Sequence, residues 1–182
     1  MNPATSVVIA CYNMARELPR TIRSLSPEMQ KGVSRGDYEL IIADNGSTIP
    51  FDEAACRNFG AELRVLRFDG SSRSPARAIN AGIDAACGNL VGVMIDGARL
   101  TSPGLIAMAT MADKLAERAV ILTLGFHLGT EIQVKSMLRG YDQEEEDKLL
   151  ASSGWTDDGY RLFDISVPAA SAGAGWFAPM NE

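Results

Sequence analysis

Two hydrophobic runs in this chain each end at an acid. Tyr38-Glu-Leu-Ile-Ile-Ala leads into Asp44, and Leu90-Val-Gly-Val-Met-Ile leads into Asp96. Both are apolar at enough consecutive positions to be buried on both faces, the pattern of a central parallel strand. Residues 6–11 (Ser-Val-Val-Ile-Ala-Cys) make a third run, β-branched and closed by Tyr12-Asn13, which predicts a strand followed by a turn. Residues 62–67 alternate, so that strand belongs nearer a sheet edge. Residues 119–124 (Ala-Val-Ile-Leu-Thr-Leu) predict one strand more.

Helical spacing fills the intervals. Leu18, Ile22 and Leu25 recur on one face within residues 15–25, and a short helix is expected near 52–59. Ser74-Pro75 reads as an N-cap with proline at the first helical position. Ile79, Ile83 and Ala86 then form an apolar face, and Gly88 closes the helix. Ser102-Pro103 repeats the signature and opens a helix with Leu105, Met108, Ala112 and Leu115 on one side. Strands alternating with helices over residues 6–124 predict a parallel sheet covered by helices. Beyond residue 125 the pattern weakens. Residues 131–150 predict a helix bearing the acids Asp142, Glu144, Glu145, Glu146 and Asp147, and the small-residue-rich end (168–177) lacks a closing element. The expectation is a core over residues 1–125 and a partial segment over 126–182, a piece of a longer protein.

Composition narrows the function. A net charge of −6 without a basic stripe argues against nucleic acid as a partner. Cys11, Cys56 and Cys87 are odd in number and lack metal-ligand spacing, so they read as buried thiols of a reducing compartment. No basic leader precedes the first strand, and no apolar run reaches the roughly 20 residues of a membrane span. The cytoplasm is the default expectation.

The chemistry is expected at the carboxyl ends of the strands, where open α/β sheets bind ligands. Two acids on one rim suit a nucleotide, a sugar or a metal-bound phosphate. Ionised Asp44 is acceptor-only and can hold a base or ribose, with Asn45 beside it. The same Asp-Asn-Gly-Ser stretch is equally a turn former. Tyr12 and Asn13 can stack on and hydrogen-bond a base, or pack the rim. Arg77 offers a fork of donors suited to a diphosphate, or is a solvated helix charge. Asn80, one turn further, is a ligand contact or a structural hydrogen bond. Residues 11–16 contain no glycine, which excludes both a dinucleotide-binding turn and a phosphate-cradling loop at that position.

Four blocks in order now resemble the family 2 glycosyltransferases: Val7-Val-Ile-Ala-Cys-Tyr-Asn13, Glu39-Leu-Ile-Ile-Ala-Asp44-Asn-Gly-Ser47, Ala76-Arg-Ala-Ile-Asn-Ala-Gly82 and Gly88-Asn-Leu-Val-Gly-Val-Met-Ile-Asp96. The resemblance covers about residues 6–110. It implies a GT-A fold, a Rossmann-like, mostly parallel sheet with helices on both faces. It also implies transfer of a sugar, with inversion, from a uridine or guanosine diphosphate donor to a carbohydrate or lipid-linked acceptor, as in cell-envelope polysaccharide synthesis. The donor would be held by Tyr12, Asn13, Asp44, Asn45, Arg77, Asn80, Asp96 and Arg99.

The family carries a second acid two residues after the one matched by Asp96, and the pair helps hold Mg2+ or Mn2+. This chain has Ala98 there, followed by Arg99. Three readings follow: a cation held by Asp96 with the donor phosphates, a site using Arg99 and Arg77 instead, or a nucleotide- or partner-binding domain without catalysis. Inverting transfer also needs a general base. The candidates are Asp142 and its acidic neighbours (which also read as a solvated helix face), Glu131, Asp157-Asp158, His127, or a residue beyond Glu182.

Overall fold

The computed structural model describes residues 3–70 and 74–169, in two compact units, Met1–Ala119 and Val120–Glu182. The tail from residue 170 onward, which the sequence pattern marked as small-residue-rich, lies outside the described residues.

The first unit is built on four parallel strands: β1 (Thr5–Cys11), β2 (Tyr38–Asp44), β3 (Glu62–Arg67) and β4 (Leu90–Met94), in the order β3-β2-β1-β4. Every residue of β1 and β2 is buried, as the uninterrupted apolar runs predict. Side-chain alternation divides the core into two layers. Val7, Ile9 and Cys11 with Leu40 and Ile42 face α1 (Leu18–Ser24), Cys56 of α2 (Glu53–Asn58) and Ile106 of α4 (Leu105–Asp113). Val8, Ile41 and Ala43 face α3 (Ala76–Ala85) through Ala78. Helices therefore cover both faces of a mostly parallel sheet. Leu18, Ile22 and Leu25 are fully buried, as their spacing predicts. Alternating β3 is an edge strand, again as expected.

Several expectations are corrected. The face that α3 turns to the sheet is Ala78 and Gly82, while Ile83 is exposed. Small residues let the helix sit against the strands: a Cβ at Gly82 would lie 2.3 Å from Val8 Cγ1. The helix begins at Ala76, whose amide donates to Ser74 Oγ (3.3 Å), and ends at Ala85 without help from Gly88. Gly88 instead permits a close approach, since a Cβ there would meet the Ser6 nitrogen at 2.6 Å. Gly104, left-handed at φ 86°, rather than Ser102, precedes α4. That helix buries Ile106 and leaves Met108 and Leu115 exposed. β4 is an edge strand with Val93 exposed, so the second acid-terminated run is not buried on both faces. Residues 119–124 form no strand, and Val120 and Leu122 are exposed. Apolar β-formers make a strand only where a ladder partner exists, and among the described residues none pairs with this segment. Cys87 is exposed rather than buried.

The amino-terminal ends of the strands are tied by a buried polar cluster. Ser6 Oγ donates to Glu39 Oε1 (2.6 Å), the Cys87 amide donates to the same oxygen (2.8 Å), and Arg64 pairs with Glu39 Oε2 (2.8 Å). Burial alone would raise the Glu39 pKa. Ser6, the Cys87 amide and Arg64 outweigh it and hold the carboxyl below its ordinary value.

The second unit pairs β5 (Phe126–Leu128) antiparallel with β6 (Ser166–Pro168). Leu150, Trp155 and Leu162 are buried, and Phe126 meets Phe163 edge to face at 5.0 Å. The helix expected over 131–150 is two, α5 (Gln133–Leu138) and α6 (Gln143–Ser153), separated at Gly140 with φ 91°. Asp142 caps α6 by accepting from the Glu144 and Glu145 amides, and the acids behind it occupy the first turn, where the helix dipole favours them. Among the described residues no helix is long and apolar enough to cross a membrane.

Candidate functional site

Parallel pairing brings the carboxyl ends of all four strands to one rim. Asp44 stands level with Cys11 on one side and Arg67 on the other. Asp96 lies two residues past the end of β4, on the opposite side of β1. Two strand spacings, about 10 Å, separate the strands that deliver the acids. Tyr12 and Asn13 leave β1 between them.

The turns are bound to one another. The Asp44 side chain accepts from the Ser47 amide (2.9 Å), an Asx-type closure of its own loop. Asn13 adopts a left-handed conformation at φ 54°, which asparagine tolerates better than most residues. Its amide donates to Ser47 Oγ (2.9 Å), and its Oδ1 accepts from the Thr48 and Ile49 amides (2.8 and 3.1 Å). Asn13 thus clasps the β2 turn, while Tyr12 stands exposed. Asn45 is buried and donates to the Ser74 carbonyl (3.4 Å), which fixes the start of α3 beside the rim. From the first turn of that helix, the Arg77 guanidinium lies over the Phe68 ring at 5.1 Å. Asn80 is exposed one turn later. Arg67 is drawn aside by Glu53 (2.6 Å), whose pKa is lowered by Arg67 first and then by Arg57.

Asp96 is engaged by its own turn. Oδ1 accepts from the Ala98 amide (3.1 Å) and Oδ2 pairs with Arg99 Nε (2.9 Å). Polar groups of α1 and the segment after it hold the rest of this turn. Thr21 Oγ1 donates to the Gly97 carbonyl (2.7 Å), the Thr101 amide donates to Ser24 Oγ (3.0 Å), and Gln30 Nε2 donates to the Ser102 carbonyl (3.1 Å). Gly97 is closely packed: a Cβ would stand 3.0 Å from Leu18 Cδ1 and 3.2 Å from Cys11 Cβ, so these side chains would have to give by a few tenths of an ångström. Cys11 closes the end of β1, between the strands that deliver the two acids. Burial first, and then the charge of Asp44, push its thiol up to about 12, so it remains protonated at neutral pH.

These residues do not fit a cation held by the protein. Mg2+ and Mn2+ need hard oxygen donors. The turn supplies one acid, which accepts one hydrogen bond at each oxygen; Ala98 offers no further donor, and Arg99 places a positive charge beside it. Among the described residues, no three His, Cys, Asp or Glu side chains gather as a metal-binding group.

The candidate bases lie in the second unit, with local partners of their own. His127 is half-buried in β5, paired in register with Val167. Asp142 caps α6, Glu131 pairs with Arg139 (2.9 Å), and Asp158 accepts from the Tyr160 amide (3.1 Å). Residues that the sequence reading did not single out are Ser47, Phe68, Thr21, Ser24, Gln30 and Thr101. The available signal was Thr21, a polar position beside the helical stripe that carries Leu18 and Ile22.

The family described as Glycosyl transferase family 2 matches residues 6–124, about two thirds of the chain. No curated protein is detectably similar. Among solved structures, S. aureus TarS 1-349 superposes with a TM-score of 0.53 at 19% identity, over 63% of this chain and 33% of that one. The same TarS segment in complex with UDP gives 0.53 and 21%, over 63% and 32%. The mannosyltransferase PcManGT from Pyrobaculum calidifontis, solved with GDP-Man and Mn2+, gives 0.51 and 21%, over 76% and 39%. This chain spans between about a third and two fifths of these structures, and likeness at such identity establishes a shared fold, the GT-A type.

Proposed function

This chain belongs to glycosyl transferase family 2, and from that premise we propose that its first unit is the donor-binding part of an enzyme that moves a hexose-like sugar from a nucleoside diphosphate to an acceptor hydroxyl. The observation that carries the reading is the common rim of Asp44 and Asp96 on either side of β1. The rim has opposite characters at its two ends. At the β2 end, Asp44 and Asn45 are buried hydrogen-bonding groups beside the exposed ring of Tyr12, which suits a flat base and a ribose. At the β4 end, Arg99 is more open, which suits charged phosphates. Arg77 and Asn80 approach from α3.

In this reading the donor lies across the end of β1 with its sugar beyond the diphosphate. Reaction requires an acceptor oxygen in line with the bond to the departing diphosphate, and a base to take the acceptor's proton. Attack from the face opposite the leaving group inverts the anomeric centre. A base for the acceptor is sought among the residues after 125, with His127 the first candidate and Asp142 the weaker one because it caps α6. The acceptor class is a carbohydrate or lipid-linked carbohydrate, as in cell-envelope polysaccharide synthesis. Three free cysteines support the cytoplasm as the place of action.

The test is calorimetric titration of the full chain with UDP and GDP, together with an assay for nucleoside diphosphate released from UDP- and GDP-sugars. We expect binding of at least one diphosphate, weakened roughly 10-fold or more by Asp44→Ala through the lost charge-assisted hydrogen bond. No binding of either nucleotide would overturn the proposal. Binding without turnover would favour the second reading, a non-catalytic nucleotide-binding domain, for which Ala98 and the engaged Asp96 speak.

A further inference from the structure

Resting on the donor-site reading above, we infer that Arg99 is a fixed cation for the donor's diphosphate, held by Asp96 and the clamped turn, and that it takes the place of a divalent ion. Asp96 pairs only with Nε of Arg99 (2.9 Å), and the two terminal nitrogens make no hydrogen bond among the described residues. The Arg99 side chain is 55% exposed at the rim. Its terminal nitrogens form the fork that matches two phosphate oxygens.

The turn is immobilised in a way a loose surface loop is not. The Gly97 carbonyl is held by Thr21 and its amide faces Met14 Sδ at 3.1 Å. Thr101 is tied to Ser24, and Gln30 reaches both the Ser102 carbonyl (3.1 Å) and the Ile106 amide (3.3 Å). Thr21, Ser24 and Gln30 are at most 3% exposed. A buried polar network that is fully paired rigidifies what it touches, so both ends of the turn bearing Arg99 are anchored to α1 and the segment after it. Ala98 removes the oxygen donor that a cation would use. The carboxylate that remains orients an arginine. Positive charge is thus supplied at the β4 end of the rim by the chain itself, and Asp96 acts as a positioning residue.

Calorimetric titration of the full chain with UDP and GDP, in EDTA and again in excess Mn2+, tests this. The expected result is the same affinity in both buffers to within about 2-fold. Arg99→Ala is expected to weaken diphosphates roughly 10- to 100-fold, the range of a charge-assisted contact, while leaving uridine and guanosine unchanged. Arg99→Lys should recover part of the loss, because the charge remains while the fork does not. Asp96→Ala should weaken diphosphates equally with and without Mn2+, by freeing Arg99. Affinity that appears only with Mn2+ and disappears in Asp96→Ala would overturn the inference and leave the donor-site reading intact. An Arg99→Ala loss shared by nucleoside and diphosphate would overturn it too, because that marks a merely structural role. Failure of every nucleoside and nucleotide to bind in both buffers overturns the donor-site reading and this inference with it.

Discussion

Gly82→Ala tests the close packing of α3 against the sheet, and with it the placement of Arg77 and of the Asn45 contact at the rim. At an open helical position this substitution stabilises by about 1 kcal/mol, since glycine is the weaker helix former. Here the new methyl would lie 2.3 Å from Val8 Cγ1 and 3.3 Å from Cγ2. Val8 is fully buried and β-branched, so it has neither room nor rotamers to retreat. Overpacking of this kind costs up to about 3 kcal/mol, so the expected net change is a loss of about 2 kcal/mol. Val8→Ala alone should cost about 2 kcal/mol, from two lost methyls and the cavity they leave. In the double variant the methyl added on α3 occupies part of that cavity. The double variant should therefore be more stable than the sum of the single effects by at least about 2 kcal/mol. Urea unfolding of the full chain, followed by far-UV circular dichroism and by hydrogen exchange at β1 and β2 amides, measures all four corners of the cycle. A Gly82→Ala protein more stable than the parent, or strictly additive effects, would refute the packing argument.

Other consequences follow from the same structure. Because the folded-state pKa of Glu39 is lowered, its contribution is fully present above the ordinary glutamate pKa and disappears as pH falls through the folded value. The urea midpoint should drop more steeply below about pH 4.5 in the parent than in Glu39→Gln, and equal slopes would contradict the cluster. Thr21→Val keeps the side-chain shape and removes the bond to the Gly97 carbonyl, so it should cost about 1–2 kcal/mol and speed hydrogen exchange over 97–101. Unchanged exchange there would show that the turn is held otherwise. Of the three cysteines, exposed Cys87 should react rapidly with a thiol reagent in the native protein. Buried Cys11 and Cys56 should not, since burial pushes their thiols up to about 12 and about 11. One fast adduct by mass spectrometry is the expected count, and three would refute the burial.

The parts legible in the sequence were those whose burial is decided locally. The apolar runs of β1 and β2 are long enough to demand two covered faces, and Leu18, Ile22 and Leu25 repeat at a spacing only a helix satisfies. The acids that close the two apolar runs, Asp44 and Asp96, were visible because a carboxylate stops an apolar run abruptly. What the pattern concealed depends on neighbours far along the chain. Ile83 resembles a core residue until the small face of Ala78 and Gly82 is seen pressed on Val8. Residues 119–124 have the composition of a strand, but a strand needs a partner. Asp96 looked like a metal ligand or a phosphate contact, and its engagement by Ala98 and Arg99 emerged only from the turn's geometry. The clamp of Thr21, Ser24, Gln30 and Thr101 joins residues more than seventy positions apart, beyond the reach of any local pattern.

The most direct measurement is a crystal structure of the chain with UDP or GDP bound. The account predicts the base and ribose against Asp44, Asn45 and Tyr12, and the diphosphate crossing the end of β1 toward Arg99. A nucleotide bound away from this rim, or one lying the other way with its base beside Asp96 and its phosphates beside Asp44, would contradict it.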